Sequence, residues 1–278
     1  MRKVGILPNT SRDKDLSYTK TLIRWLQEKN CQVFVTTRPE ETDDTLVPLG
    51  AILSTLVDMC QVCEFIIVLG GDGTILEAAP TCAKYSVPLI GINLGSVGYL
   101  ADAEMNEGIP ALQRLLDGEF TTKERMLIET TVNGTTHTAL NDICVVKGST
   151  ARLITLDVCV NGKYIDTYRA DGIIFATPTG STAYNLAAGG PIVKPDINTI
   201  VITPICPYKI FFRPVIVSGD DTITISSPDY SNVLVSIDGK ASELSHSIEI
   251  KRSSNKVNII HTTEQNFYDI LRKKLSVL

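Results

Sequence analysis

Six consecutive residues carry the clearest chemical signal in this chain. Leu69-Gly70-Gly71-Asp72-Gly73-Thr74 follows the most apolar run, Phe65-Ile66-Ile67-Val68-Leu69, and precedes an amphipathic stretch. Glycines at a strand-to-helix turn permit positive φ and let a ligand come close to the backbone. The backbone N–H groups of such a turn, with a helix N-terminus behind them, favour anionic phosphate. Asp72 is the odd member, a carboxylate where phosphate would lie. It suits either of two tasks in phosphoryl transfer: holding a metal ion, or taking the proton from an attacking hydroxyl. The plain alternative is an ordinary turn in which Asp72 caps the helix. The segment is neither a Walker A loop nor a dinucleotide fingerprint, because no Lys follows the glycines and Leu76 stands where a third glycine would be.

A second segment runs from 169 to 191. Arg169-Ala170-Asp171-Gly172 leads into the apolar run Ile173-Ile174-Phe175-Ala176, then Thr177-Pro178-Thr179-Gly180-Ser181-Thr182-Ala183-Tyr184, and later Gly189-Gly190-Pro191. Pro178 and Gly180 impose a turn, Ser181 or Thr182 is expected to cap a short helix near 182–188, and Gly189-Gly190 to end it. Hydroxyls and free N–H groups beside one aromatic ring suit a nucleotide, with polar groups for ribose and phosphate and a flat ring for a base. An ordinary capped helix explains some of those hydroxyls, but not the Arg169 and Asp171 pair at the head of the strand. Leu140-Asn141-Asp142 adds an amide and a carboxylate side by side, suited to ribose hydroxyls.

These segments need a frame. Val4–Leu7, Gln32–Thr36, Phe65–Leu69 and Pro88–Ile92 read as strands, while Asp15–Lys29, Leu46–Cys60 and Ile75–Tyr85 read as helices. The alternation implies a parallel, Rossmann-like α/β domain over 1–104, with the glycine turn at a strand end where α/β ligands bind. Asn106–Leu116 reads as a helix closed by Gly118. Beyond it, Asn133-Gly134, Asn161-Gly162 and Asp238-Gly239 are hairpin signals, and Leu153–Val160 and Thr222–Ser226 alternate as half-buried strands. A mostly antiparallel β domain over 105–261 follows. Phe267, Ile270, Leu271 and Leu275 mark an amphipathic C-terminal helix over about 262–278, expected to return to the first domain.

Composition narrows the function. The 278 residues are 44% hydrophobic and 21% charged, enough apolar matter for packed cores. A net charge of −5 argues against a chain that coats nucleic acid or an anionic membrane. His137, His246 and His261 are widely separated, which disfavours a His-rich zinc site or a Ser-His-Asp hydrolase. No apolar run approaches the ~20 residues of a membrane span. Seven cysteines, an odd number, and a start without a signal-type apolar region point to reduced thiols in the cytoplasm. Cys60-Gln61-Val62-Cys63 lacks a second pair or a nearby His, and reads as two small buried residues.

Taken together, the segments resemble the bacterial type of the NAD kinase family over nearly the whole length. The likeness rests on Gly70–Thr74, Asn93-Leu94-Gly95-Ser96-Val97-Gly98-Tyr99-Leu100, Asn141-Asp142 and, above all, Asp171–Tyr184 with Gly189-Gly190-Pro191. Ile202–Pro207 and Arg213-Pro214 continue it. The resemblance implies transfer of the γ-phosphate of ATP to the adenosine 2′-hydroxyl of NAD, giving NADP, assisted by Mg²⁺ or another divalent cation. It implies Asp72 as general base and Gly73 with its neighbours at phosphate. Asn141 and Asp142 then meet the ribose, Arg169 and Asp171 line the dinucleotide pocket, and Thr182, Ala183, Tyr184, Asn185, Leu186 and Ala187 lie against the adenosine. Arg152 matches a position that often carries a basic contact. A homo-oligomer is implied too. Asp142, Ala187, Tyr208 and Lys240 depart from the usual Glu, Ser, His and Gln. The rival readings are a lipid or sugar kinase sharing the glycine turn, and a non-catalytic NAD-sensing module.

Overall fold

A computed structural model describes residues 1–36, 44–95, 98–149, 151–228, 233–243, 247–264 and 266–275. Ser96, Val97 and His246 lie outside them. The chain divides into two compact units, 1–124 with 257–278, and 125–256. The first unit opens with β1 (Arg2–Pro8), α1 (Ser17–Glu28), β2 (Cys31–Thr36), β3 (Ile52–Ser54) and α2 (Leu56–Val62). It continues with β4 (Phe65–Gly70), α3 (Asp72–Lys84), β5 (Leu89–Asn93), the short β6 (Ala103–Glu104) and α4 (Gly108–Leu116). β3, β2, β1, β4 and β5 lie side by side in one parallel sheet. β4 and β5 are buried along their whole lengths, as a sheet covered on both faces demands. Leu22, Ile23 and Leu26 of α1 and Leu112 and Leu115 of α4 fill the core against Val4, Ile6, Ile67 and Ile90.

One expected helix is corrected. Leu46–Cys60 is a 3₁₀ turn over Asp44–Leu49, then β3, then α2. Pro48 and the left-handed Gly50 (φ 76°) stop the first turn, and Thr55 starts α2 by accepting the Asp58 N–H on its hydroxyl. The apolar residues between them pair with β2 instead.

β7 (Thr121–Val132), β8 (Thr135–Ala139), β9 (Asp142–Lys147), β10 (Ile154–Val160), β11 (Lys163–Ala170) and β12 (Gly172–Ala176) follow. After the four-residue α5 (Tyr184–Ala187) come β13 (Thr199–Ile205), β14 (Val215–Ser218), β15 (Ile223–Ser226), β16 (Val233–Ile237) and β17 (Lys240–Glu243). In the second unit β14-β13-β12-β9-β16-β17 form an antiparallel sheet. The hairpins β7–β8, β10–β11 and β16–β17 turn at the three expected dipeptides, both of whose residues take positive φ. Residues of alternate parity on β12 face opposite ways: Ile173 and Phe175 join the main core, Ile174 and Ala176 a smaller one with Val193 and Val201. The long β18 (Ser247–His261) pairs with β15 in the second unit, and its end pairs with β5 in the first through Ile259 and Leu89. The C-terminal α6 (Phe267–Leu275) belongs to the first unit, where Lys273 pairs with Glu104 and the Lys274 ammonium lies 5.3 Å from the Tyr99 ring centre.

Candidate active site

In the first unit the C-terminal ends of β1, β4 and β5 converge. Asn9 just after β1 donates its backbone N–H to Leu69 O, and Leu94 after β5 donates to Gly70 O. The Asn9 side chain donates to the Thr74 hydroxyl at 2.9 Å. Asp72 is the first residue of α3, and its carboxylate does not cap that helix. It accepts the backbone N–H groups of Tyr99 (2.8 Å) and Leu100 (3.1 Å). Gly98 must be glycine for this, because the Asp72 carboxylate lies where its side chain would be. Burial, then the charge of Asp72, raises the Tyr99 hydroxyl above the ordinary tyrosine range.

The glycines of the turn serve space rather than positive φ, since Gly70, Gly71 and Gly73 are absent from the left-handed region. Gly70 clears the Thr74 side chain and Gly71 the Arg12 guanidinium. Gly73 is exposed, and a methyl group built on it would meet nothing within 4 Å outside its own helix backbone, which leaves its face open to a ligand.

In the second unit the hydroxyl-rich segment is packed from within. Thr177 donates its hydroxyl to Leu140 O (2.6 Å) and its N–H to Asn141 O (2.8 Å), and Gly180 passes so close to the Asn141 backbone that no side chain fits. The Ser181 hydroxyl does not cap α5. It donates toward Pro178 O (2.7 Å) and accepts the Val193 N–H (3.0 Å). Asn185, fully buried, donates to Ser181 O and Pro191 O and accepts the Thr203 hydroxyl.

Asp238, at the tip of the β16–β17 hairpin, accepts three successive N–H groups, those of Leu140, Asn141 and Asp142. This pins the Asn141-Asp142 pair to the start of β9. Burial lifts Asp142 to about 6; the Cys144 thiol donated to it opposes that, and Asp238 adds to it. Asp238 is raised as well, first by burial, against the pull of its three N–H bonds.

The comparisons decide the family. An ATP-NAD kinase N-terminal domain model matches residues 4–120, and an ATP-NAD kinase C-terminal domain model matches residues 140–262. NAD kinases of Thermoanaerobacter sp. and Natranaerobius thermophilus are each 39% identical over 99% of this chain, which covers 99% and 98% of theirs. The chain belongs to the NAD kinase family. It is accordingly an enzyme, an NAD kinase. Two solved structures share its fold. Yeast NADH kinase, complexed with NADH, has a TM-score of 0.86 at 24% identity, over 99% of this chain and 88% of that one. An NAD kinase from Archaeoglobus fulgidus, in complex with ATP, has a TM-score of 0.79 at 24% identity, over the full length of both.

For an NAD kinase the expected site residues fall into two groups. Asp72 and Gly73 stand together in the first unit. Asn141, Asp142, Arg152, Arg169, Asp171 and 182–187 all lie in the second. Tyr184, Ala187, Arg152 and Arg169 are exposed, and the Arg169 guanidinium sits 5.4 Å from the Tyr208 ring centre. Asp171 is paired with Lys147 (2.6 Å). The Tyr184 hydroxyl is raised above the ordinary tyrosine range by burial, with smaller contributions from Cys144, Cys206, Asp142 and Asp171. Asn185 differs from its neighbours, with its side chain turned wholly inward. Asn9, Arg12, Lys147 and Asp238 escaped sequence reading. For the first two the sequence offers only a polar Asn9-Thr10-Ser11-Arg12 loop after an apolar run, with no sign of what it faces.

Proposed function

We propose that the chain moves the γ-phosphate of ATP to the adenosine 2′-hydroxyl of NAD, with Asp72 as general base. The observation that carries this reading is the Asp72 carboxylate, oriented by two backbone N–H groups at the head of α3. A ribose hydroxyl is a weak nucleophile at neutral pH, and a carboxylate within hydrogen-bond reach takes its proton as the bond to phosphorus forms. The glycine turn and the positive end of α3 receive phosphate charge. In the second unit, Asn141 and Asp142 accept and donate to ribose hydroxyls, and Tyr184 offers its exposed ring to the adenine. Thr182, Ala183, Leu186 and Ala187 form the wall beside it, and Asn185 holds that wall in shape. Arg152, Arg169 and the Lys147–Asp171 pair serve the dinucleotide's polar groups.

The residues fit a magnesium ion that arrives on the triphosphate. Among the described residues no three His, Cys, Asp or Glu side chains converge on a metal position. Mg²⁺ needs no such cage, since it keeps water and takes most other ligands from phosphates. Each Asp72 oxygen accepts a single N–H bond, which leaves lone pairs for a hydrated cation. The ion, when bound, neutralises phosphate charge. The working compartment in this reading is the reducing cytoplasm, in keeping with seven free cysteines. No helix of the described residues is long and apolar enough to cross a membrane. The assembly is a homo-oligomer, supported by the apolar surface of Ile210 and Phe211, 82% and 89% exposed. The deciding experiment is a coupled assay for NADP with NAD and NADH as acceptors and a panel of triphosphates and polyphosphate as donors. NADP formed from NAD and ATP supports the reading; phosphorylation of diacylglycerol or a sugar alone, or tight NAD binding without product, refutes it. Gel filtration tests the oligomer.

A further inference from the structure

We propose that Arg12 binds the phosphoanhydride chain of the phosphoryl donor at the glycine turn. The inference rests on the kinase reading above and assigns a residue to it. Arg12 follows β1, and its guanidinium lies against two glycine segments at once. A methyl group built on Gly71 would fall 2.9 Å from Arg12 Nη1, and one built on Gly95 would fall 2.6 Å from the same atom. Two different strand ends, those of β4 and β5, therefore leave out a side chain where this cation sits. Its backbone is anchored as well, with the N–H groups of Arg12 and Asp13 both donated to Asn9 O (3.0 and 2.8 Å).

Among the described residues Arg12 makes no ion pair. Neighbouring Asp13 is buried and committed elsewhere, to the N–H of Tyr18 and to the N–H and hydroxyl of Thr19. The Asp72 carboxylate is held by Tyr99 and Leu100. A guanidinium without an ion pair among the described residues, set against Gly71 just ahead of a 13-residue helix, is the arrangement that fits a chain of phosphates. The nearby alternative has the wrong sign. A cavity of about 240 Å³ that Gly98 also lines carries Asp102, Glu104, Glu107, Glu264 and Asp269 against Lys273, and this lysine is paired with Glu104. A polyanion is repelled there and attracted to Arg12.

The shared chemistry is the phosphoanhydride chain, whether it comes from a nucleoside triphosphate or from inorganic polyphosphate. The test compares wild type with Arg12→Ala, Arg12→Gln and Arg12→Lys. Kinetics give KM for ATP, KM for NAD and kcat, and calorimetry gives the dissociation constant of tripolyphosphate. Loss of a charge-assisted contact raises the KM for ATP and the tripolyphosphate constant by about tenfold or more, with KM for NAD within about twofold of wild type. Lysine restores part of the loss as a point charge, whereas glutamine does not. A rise for ATP without one for tripolyphosphate shifts the contact to the nucleoside and overturns the proposal. Unchanged ATP and tripolyphosphate values in Arg12→Ala overturn it too, as does an equal rise in KM for NAD. Where Arg12→Ala fails to fold, the lysine and glutamine variants decide. A wild type that makes no NADP refutes the kinase reading alone, since tripolyphosphate binding still reports on Arg12.

Discussion

Asp72 is a first-turn residue that turns away from its own helix to two N–H groups 27 and 28 positions further on. Among the described residues that arrangement fixes the carboxylate without a charged partner, and in the general-base role proposed above it loses its use when it cannot accept a proton. Asp72→Asn is expected to lower kcat ~10²–10⁴-fold, with the NAD dissociation constant nearly unchanged. NADP-coupled kinetics and calorimetry on the same variant check the split. Asp142 makes the opposite kind of prediction, one of pH. Its carboxyl is raised to about 6, above the unfolded value, so the native state holds an extra proton between roughly pH 4 and 6. Its stability cost is fully present above about 6 and is relieved as pH falls. On the proposed role of Asp142, NAD affinity runs the other way, because the carboxylate proposed to accept ribose hydroxyls disappears on protonation. The expected outcome is a dissociation constant for NAD that rises from pH 7.5 to 5.5 while the melting temperature gains the Asp142 contribution, and both trends flatten in Asp142→Asn. Asp72, Asn141 and Asp142 stood out in the sequence as candidates because a carboxylate among glycines, or an amide beside a carboxylate, is chemically odd where it stands. Arg12 and Asn9 were not, since their meaning depends on β1 lying next to β4, and Asn9 meets Thr74 across 65 residues. Asp238 reads in sequence as half of a turn dipeptide. Its second task, holding the N–H groups of 140–142, appears only when β9 and β16 pair.

At the scale of elements the hairpins were the most legible part, because Asn-Gly and Asp-Gly specify a backbone conformation by themselves. The segment 46–60 was the least, because its apolar spacing suits a helix while Pro48, Gly50 and Thr55 divide it. The 177–191 segment lies between these cases. Its turn residues announced a loop and a short helix, yet its hydroxyls serve the segment's own scaffold more than any cap. Thr177 ties it to Leu140, Ser181 to Val193, and Asn185 to Pro191 and Thr203. Gly180 lies so close to the backbone of Asn141 that a methyl group has nowhere to go. Gly180→Ala is expected to cost about 1–3 kcal/mol of stability through forced displacement of the two segments. Because Asn141 and the 182–187 wall move apart, NAD affinity falls with it, by about tenfold. Thermal melts and NAD titrations on this variant measure the two effects together, and a normal melting temperature with normal NAD affinity would refute the packing argument.

For the molecule as a whole, the decisive fact is that the first unit is built from both ends of the chain. Val257–His261 supplies the strand beside β5, with Ile260 in the core. Thr262 gives its N–H (3.1 Å) and hydroxyl (2.6 Å) to the buried Asp102. A chain stopped after residue 256 leaves Asp102 without these partners and Leu89 of β5 without Ile259. Loss of native structure in the first unit is expected, read by limited proteolysis and near-ultraviolet circular dichroism, while a chain stopped after residue 265 keeps that strand and its bonds. The same connectivity sets an order of assembly during translation. Domains ordinarily fold as the ribosome delivers them, earliest first. Here the flank of β5 at Leu89 stays an open edge until Ile259, 170 positions further on, has been made. Until then the half that carries Asp72 offers that edge to other chains for pairing.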